Sequence, residues 1–163
     1  MKRLILIGGA MGVGKTATSQ ELKKLLPHAV FLDGDWCWDM NPFLVTPQNK
    51  GMVLENISFL LRNFLENPAL ETVIFGWVLP GEEILTELRQ RLTGIAFREY
   101  DFTLQCTQKA LRERLEKDIR SGRREPDLVR PKPQKLGDRP GEHTAHARHR
   151  ITDGDQGKDK NSR

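Results

Sequence analysis

The amino-acid sequence predicts an α/β domain, a parallel sheet with helices on both faces. Two observations carry that prediction. Short apolar runs alternate along the chain with longer segments whose apolar residues recur at helical spacing. The apolar runs are continuous, as in strands buried on both faces, where a half-exposed strand would alternate with polar residues. Strand then helix, four times over, implies parallel strands joined by right-handed crossovers.

Leu4 to Ile7 form the first run, stopped by Gly8 and Gly9. A helix is predicted from about Lys15 to Leu26, with Ala17, Leu22, Leu25 and Leu26 as its inner face and Pro27 just past its end. Ala29 to Leu32 read as the second strand. Asn49 to Glu66 place Val53, Ile57, Leu60, Leu61 and Phe64 at helical spacing and leave Glu55, Asn56, Arg62 and Asn63 outside. ETVIFGWV, Glu71 to Val78, is a third buried strand. Pro80-Gly81 then open a helix through about Leu92, with Glu82 and Glu83 at the positive end of its dipole. The fourth strand is expected near Tyr100 to Cys106, and Thr107 is a good N-cap for a last helix that Gly122 ends.

Residues 1–125 thus make one domain, of a size that buries enough apolar surface to fold unaided. After Arg124 the composition changes. Residues 126–163 hold no aromatic residue, many prolines and glycines, and three of the four histidines, so a polar, disordered tail is expected. His143, His146 and His149 recur every third residue, with no carboxylate arranged behind them, and only adventitious metal binding is expected there. Of the net charge of +4, the tail's nine Lys/Arg against six Asp/Glu supply +3, and the nearly neutral body argues against a nucleic-acid partner. Cys37 and Cys106 are too few for a disulfide framework and lack metal-ligand spacing, which points to a reduced, cytoplasmic protein. No stretch approaches the roughly 18 apolar residues of a membrane span, so no membrane partner is expected. Oligomeric state is left open.

The first strand runs into GGAMGVGKT, in which Gly9 to Thr16 fit G-x-x-x-x-G-K-[ST]. Glycines 9, 12 and 14 let the backbone curl so that successive N–H groups, those of Val13 and Ala17 among them, point at phosphate. Lys15 supplies a point charge to the β and γ phosphates, Thr16 offers a hydroxyl to Mg²⁺, and the helix behind them presents its positive end. A buried strand before and a helix after are the context this motif requires. ATP and Mg²⁺ are therefore the expected cofactors.

GGAMGVGKT, FLDGDWCW and LRERLEKDIRSGRREPD together resemble the small P-loop kinases, the group of adenylylsulfate, shikimate, gluconate and nucleoside monophosphate kinases. Within that group they are most similar to a bacterial branch labelled nucleotide kinase-like or AAA-type ATPase. The resemblance covers residues 1–127 and implies a P-loop NTPase fold with a small Arg-bearing lid near residues 120–130. Adenylylsulfate kinases carry the same Leu-Asp-Gly-Asp after their second strand. By that likeness Asp33 would hold Mg²⁺ through water, and Asp35 would bind and deprotonate the acceptor hydroxyl. Elementary chemistry agrees, because a carboxylate at the end of a strand beside the P-loop strand lies in the ligand crevice of such sheets. Phosphoryl transfer needs chiefly positioning and charge neutralisation. In the lid, Arg114 would stack near adenine and Arg123 would reach the transferring phosphate, with Arg120 and Arg124 as near substitutes.

The sequence also departs from the kinase pattern. VIFGW carries no aspartate after its apolar run, which argues against an AAA-type ATPase and leaves metal binding to Thr16 and Asp33. Asn49-Lys50 is followed by Gly51-Met52, so no guanine motif is present. The further helix, fifth core strand and closing helix of small P-loop kinases are not visible. The last core strand is expected to be missing, the chain or its reading frame diverging near Pro126 to Pro131 and leaving an incomplete sheet edge and an inactive or poorly stable product.

Trp36, Trp38 and Trp77, all the tryptophans present, fall just beyond the second and third strands. If extended geometry persists past Leu32, Asp33 and Asp35 share one side and Trp36 and Trp38 the other. The expected function is an ATP-dependent kinase whose small acceptor, planar or nucleoside-like, lies between Asp35 and the three indoles. The alternatives are a non-catalytic nucleotide-binding module or simple ATPase and, third, a nucleic-acid 5′-end kinase.

Overall fold

β1 (Lys2–Gly9) occupies the middle of the sheet because its apolar run has no polar face to offer solvent: Leu4, Ile5, Leu6 and Ile7 are each at most 8% exposed. In this computed structural model, which describes residues 1–78, 82–122 and 146–152, β1 lies between β3 (Thr72–Gly76) and β4 (Phe97–Leu104) and runs parallel to both. Ile5 pairs in register with Ile74 on one side and Tyr100 on the other. β2 (Ala29–Asp33) pairs parallel with the far edge of β3. The resulting order is β2-β3-β1-β4-β5, four parallel strands and one antiparallel strand at the β4 edge.

Alternate residues of the strands face opposite helical layers. Ile5, Ile7, Phe31 and Ile74 meet Leu22 and Leu26 of the α1 (Lys15–Leu25) layer. Leu4, Leu6, Val73 and Phe75 face the main core, which α2 (Pro47–Glu66) supplies with Val53, Ile57, Leu61 and Leu65 and α3 (Glu82–Arg91) with Leu85 and Leu88. Each such side chain contributes about 1.5–3 kcal/mol when fully buried. The α/β fold with a parallel sheet flanked by helices is the architecture the alternating pattern predicts.

Particular elements differ from expectation. The inner face of α1 is Ser19, Leu22 and Leu26, whereas Ala17 is exposed and Leu25 is 79% exposed. Ser19 lies where helix and sheet approach closely: a Cβ on Gly76 would stand 3.2 Å from its hydroxyl. Hydrophobic spacing passes over such a small residue. α2 begins at Pro47, since Thr46 accepts the Asn49 N–H at 3.1 Å through its hydroxyl. β4 starts at Phe97, and Thr107 caps α4 (Gln108–Arg120) as predicted, its Oγ1 accepting from Ala110 N–H at 3.2 Å. Gly122, with φ +69°, follows the end of α4 and donates to Ile119 O.

The tail is corrected in part. Residues expected to be disordered include β5 (His146–Thr152), which pairs antiparallel with β4, Tyr100 opposite His149, so the β4 edge is not left open. HARHRIT has no apolar alternation to announce a strand, and the edge of β4 offers main-chain hydrogen bonds that depend little on side chains. The lid arginines Arg123 and Arg124, and the expected divergence near Pro126 to Pro131, lie outside the described residues. Among the described residues no helix is long and apolar enough to cross a membrane.

Candidate phosphate and acceptor site

The sheet order places the carboxyl ends of β1 and β2 on the same side of the sheet, and the loops that follow them build the site. After β1 the chain enters conformations open to glycine: φ is +134° at Gly9, +80° at Gly12 and +110° at Gly14. Close packing against backbone adds to this at Gly9, and a neighbouring side chain crowds Gly12. A Cβ at Gly9 would lie 2.5 Å from Leu104 O, and one at Gly12 would lie 2.7 Å from the Leu115 side chain of α4. α1 then starts at Lys15 with no side-chain cap and no acidic residue in its first turn. A helix start so arranged suits phosphate oxygens, through its N–H groups and the positive end of its dipole. Lys15 Nζ donates to Gly9 O and Ala10 O at 3.1 Å each, so the ammonium lies across the loop.

Thr16 and Asp33, 17 residues apart in sequence, meet here. Thr16 Oγ1 donates to Asp33 Oδ2 at 2.8 Å, and the carboxylate is 8% exposed. A hydroxyl beside a carboxylate is a hard-oxygen pair that fits Mg²⁺, which keeps several waters and takes its remaining ligands from phosphates. Among the described residues no group of three His, Cys, Asp or Glu side chains forms a self-sufficient metal site, in keeping with that partial donor set.

The other oxygen of Asp33 corrects the expectation of a continued strand. Oδ1 accepts the Asp35 N–H at 3.1 Å and caps a short 3₁₀ helix, Gly34–Trp38. Gly34 is packed on an indole, where a Cβ would fall 2.4 Å from Trp77 Cγ. The chain therefore turns at Gly34, and the period of two that would put Asp33 and Asp35 on one side and the tryptophans on the other is lost. Asp35 is exposed beside the pair.

Nor do the three indoles make one platform. Trp77 is 9% exposed, tilted against Phe75 at 6.1 Å, and is a core residue that supports the Gly34 corner. Trp38 packs on the main core and on Phe43. Trp36 alone is open, 57% exposed, and meets Phe31 edge to face with ring centroids 5.6 Å apart. It forms one wall of a groove of about 460 Å³ with Cys37 and Asp39, and α2 contributes Met52, Asn56 and Phe59 to the other wall. Burial pushes the Cys37 thiol up from its ordinary range. The α2 residues are ones the sequence reading missed or set outside the core. The available signal was a second stripe, Met52, Asn56 and Phe59 at i, i+4 and i+7, with two large apolar residues on a face turned from the core.

α4 reaches back to the phosphate loop. Arg114 Nη1 donates to Val13 O at 2.8 Å, and Leu111 and Leu115 lie over Gly12. The guanidinium thus sits at the loop, 3.9 Å from where a Gly14 Cβ would be.

A protein-family model described as an AAA domain matches residues 5–130. The chain belongs to this AAA-domain family. It does so although β3 ends at Gly76 and is followed by Trp77, without the aspartate whose absence argued against an AAA reading. No curated protein is significantly similar to this AAA-domain chain. Among solved structures, a chain of the Pnkp1/Rnl/Hen1 RNA repair complex is 16% identical, with a TM-score of 0.62 over 74% of this chain and 38% of its own length. A gluconokinase from Sinorhizobium meliloti 1021 is 19% identical, with a TM-score of 0.53 over 76% of this chain and 68% of its own. A sugar kinase from Janibacter sp. HTCC2649 is 14% identical, with a TM-score of 0.55 over 72% and 68%. At such identities the likeness is one of fold, and the fold is that of a P-loop kinase.

Proposed function

We propose that this AAA-domain protein is an ATP-dependent phosphotransferase acting in the cytoplasm on a small, planar or nucleoside-like acceptor. The observation that carries the reading is the 2.8 Å contact between Thr16 and Asp33 directly behind the glycine cradle. In the transfer, an acceptor hydroxyl oxygen forms a bond to the γ-phosphorus as the bond from that phosphorus to the β,γ-bridging oxygen breaks, and ADP leaves. Asp35 takes the hydroxyl proton and passes it to solvent. Lys15 and the α1 N-terminus hold the β and γ phosphates where charge spreads during transfer. Thr16 and Asp33 would hold Mg²⁺, which when bound supplies neutralisation of phosphate charge. By the kinase resemblance Arg114 would leave Val13 O for the nucleotide's base, and Arg123, outside the described residues, would reach the transferring phosphate.

ADP release measured against an acceptor panel tests this function. One acceptor should stimulate release, and Lys15→Ala should lower the stimulated rate by about a hundred- to a thousandfold. Asp35→Ala should bind ATP and fail in transfer. ATP binding with no phosphorylated product from any acceptor would favour a nucleotide-binding module. Transfer only to 5′-hydroxyl oligonucleotides, with steep salt dependence, would favour a nucleic-acid end kinase.

A further inference from the structure

We infer that the groove between the 3₁₀ helix and α2 binds the acceptor's body, that this body is an uncharged aromatic heterocycle of nucleoside type, and that acceptors already bearing phosphate or carboxylate are selected against. This rests on the phosphotransferase reading for its position, since Trp36, the first wall residue, directly follows Asp35. The class of ligand comes from the walls.

Three large apolar side chains around the groove are left in water: Trp36 at 57%, Phe59 at 64% and Met52 at 43% exposure. They come from two separate elements and face one concavity, a pattern that marks a binding surface more than scattered exposure does. Two aromatic faces and a polarizable thioether suit a flat ring better than a hydroxyl-rich sugar. The volume of about 460 Å³ is in the range of small-molecule sites. Asn56 adds direction. Its amide makes no hydrogen bond to another described residue, and it offers a donor and an acceptor side by side, the complement of a ring edge that carries both.

Charge sets the selection. Among the described residues the lining contains Asp39 and no Lys or Arg, and Asp35 directly precedes its Trp36. Sites that bind phosphate monoesters or carboxylates use guanidinium or ammonium groups to offset desolvation, and the described residues of this lining supply none. A hydroxyl on a neutral ring system meets no such repulsion.

The test is titration of the full-length protein with adenosine, guanosine, cytidine and thymidine, their 5′-monophosphates, and gluconate, read by tryptophan fluorescence and by ADP release with ATP present. At least one nucleoside should bind saturably, and its monophosphate should bind at least about tenfold more weakly. Trp36→Ala and Phe59→Ala, both at exposed positions, should each raise the Kd of that nucleoside about tenfold. Asn56→Asp should reorder preference among the bases, and Asp39→Asn should narrow the gap between nucleoside and monophosphate. Preference for a monophosphate or for gluconate, or wild-type Kd in both aromatic variants, overturns the groove assignment while leaving phosphotransfer standing. Nucleoside binding with no transfer does the reverse. Self-association that removes Trp36 from solvent also overturns it, by making the groove an interface.

Discussion

Asp33→Asn keeps the shape of the side chain and removes its charge. The asparagine oxygen can still accept the Asp35 N–H, now 3.1 Å from Oδ1, so the 3₁₀ cap survives and stability should change by less than about 1 kcal/mol. The charged oxygen 2.8 Å from Thr16 is what the metal would use. Hydrogen bonds and close contacts to a charged group are worth about 1.5–3 kcal/mol, which at about 1.4 kcal/mol per decade is a ten- to hundredfold rise in the Mg²⁺ concentration needed for half-maximal activity. In EDTA the sign reverses. A carboxylate beside the phosphates repels them, so metal-free ATP should bind the variant as well as the wild type or better. Calorimetric titration with ATP, once in Mg²⁺ and once in EDTA, separates the two. An equal loss of affinity in both buffers would refute the metal role and leave Asp33 as a structural cap.

Three further outcomes follow from the packing. Arg89 holds the 1%-exposed Glu99 through contacts of 2.6 and 3.0 Å, so Arg89→Ala strands a buried carboxylate and should cost about 3–5 kcal/mol, a fall in Tm on the order of 10 °C by thermal melting, with most of it recovered in Arg89→Met/Glu99→Leu. Gly34→Ala drives a methyl into the Trp77 ring and should cost about 1–3 kcal/mol in denaturant melts while weakening Mg²⁺-dependent ATP binding through the displaced Asp33. Because burial raises the Cys37 thiol, the reactive thiolate is scarce at neutral pH. Alkylation of Cys37 followed by peptide mass spectrometry should be slow there, accelerate only on the alkaline side of an ordinary thiol, and slow further when a nucleoside fills the groove.

Much of this architecture is legible in the sequence for physical reasons. The continuous apolar runs of β1 and β3 can only be strands buried on both faces, and Gly9, Gly12 and Gly14 before Lys15 admit few conformations besides a phosphate cradle. Thr16 and Asp33 are both expected at the crevice, since a carboxylate ending a strand near the cradle faces it, but their direct 2.8 Å contact is a finding of the structure. What escapes is set by tertiary packing. The turn at Gly34 depends on an indole that arrives from β3, and no local pattern in FLDGDWCW announces it. Trp77 reads as a ligand wall by position and is a core prop by contact. Met52 and Phe59 carry no reading in the sequence, because their role on α2 depends on the 3₁₀ helix that supplies the opposite wall. β5 pairs through its main chain, and its polar side chains carry no strand pattern.

Transfer itself is followed most directly by giving the protein ATP labelled at the γ position, Mg²⁺ and the nucleoside panel, and weighing every product by mass spectrometry. The account predicts one acceptor carrying the labelled phosphoryl, formed in equal amount with ADP, and loss of that product in Lys15→Ala. Labelled free phosphate with no phosphorylated acceptor, or a product that survives in Lys15→Ala, would contradict it.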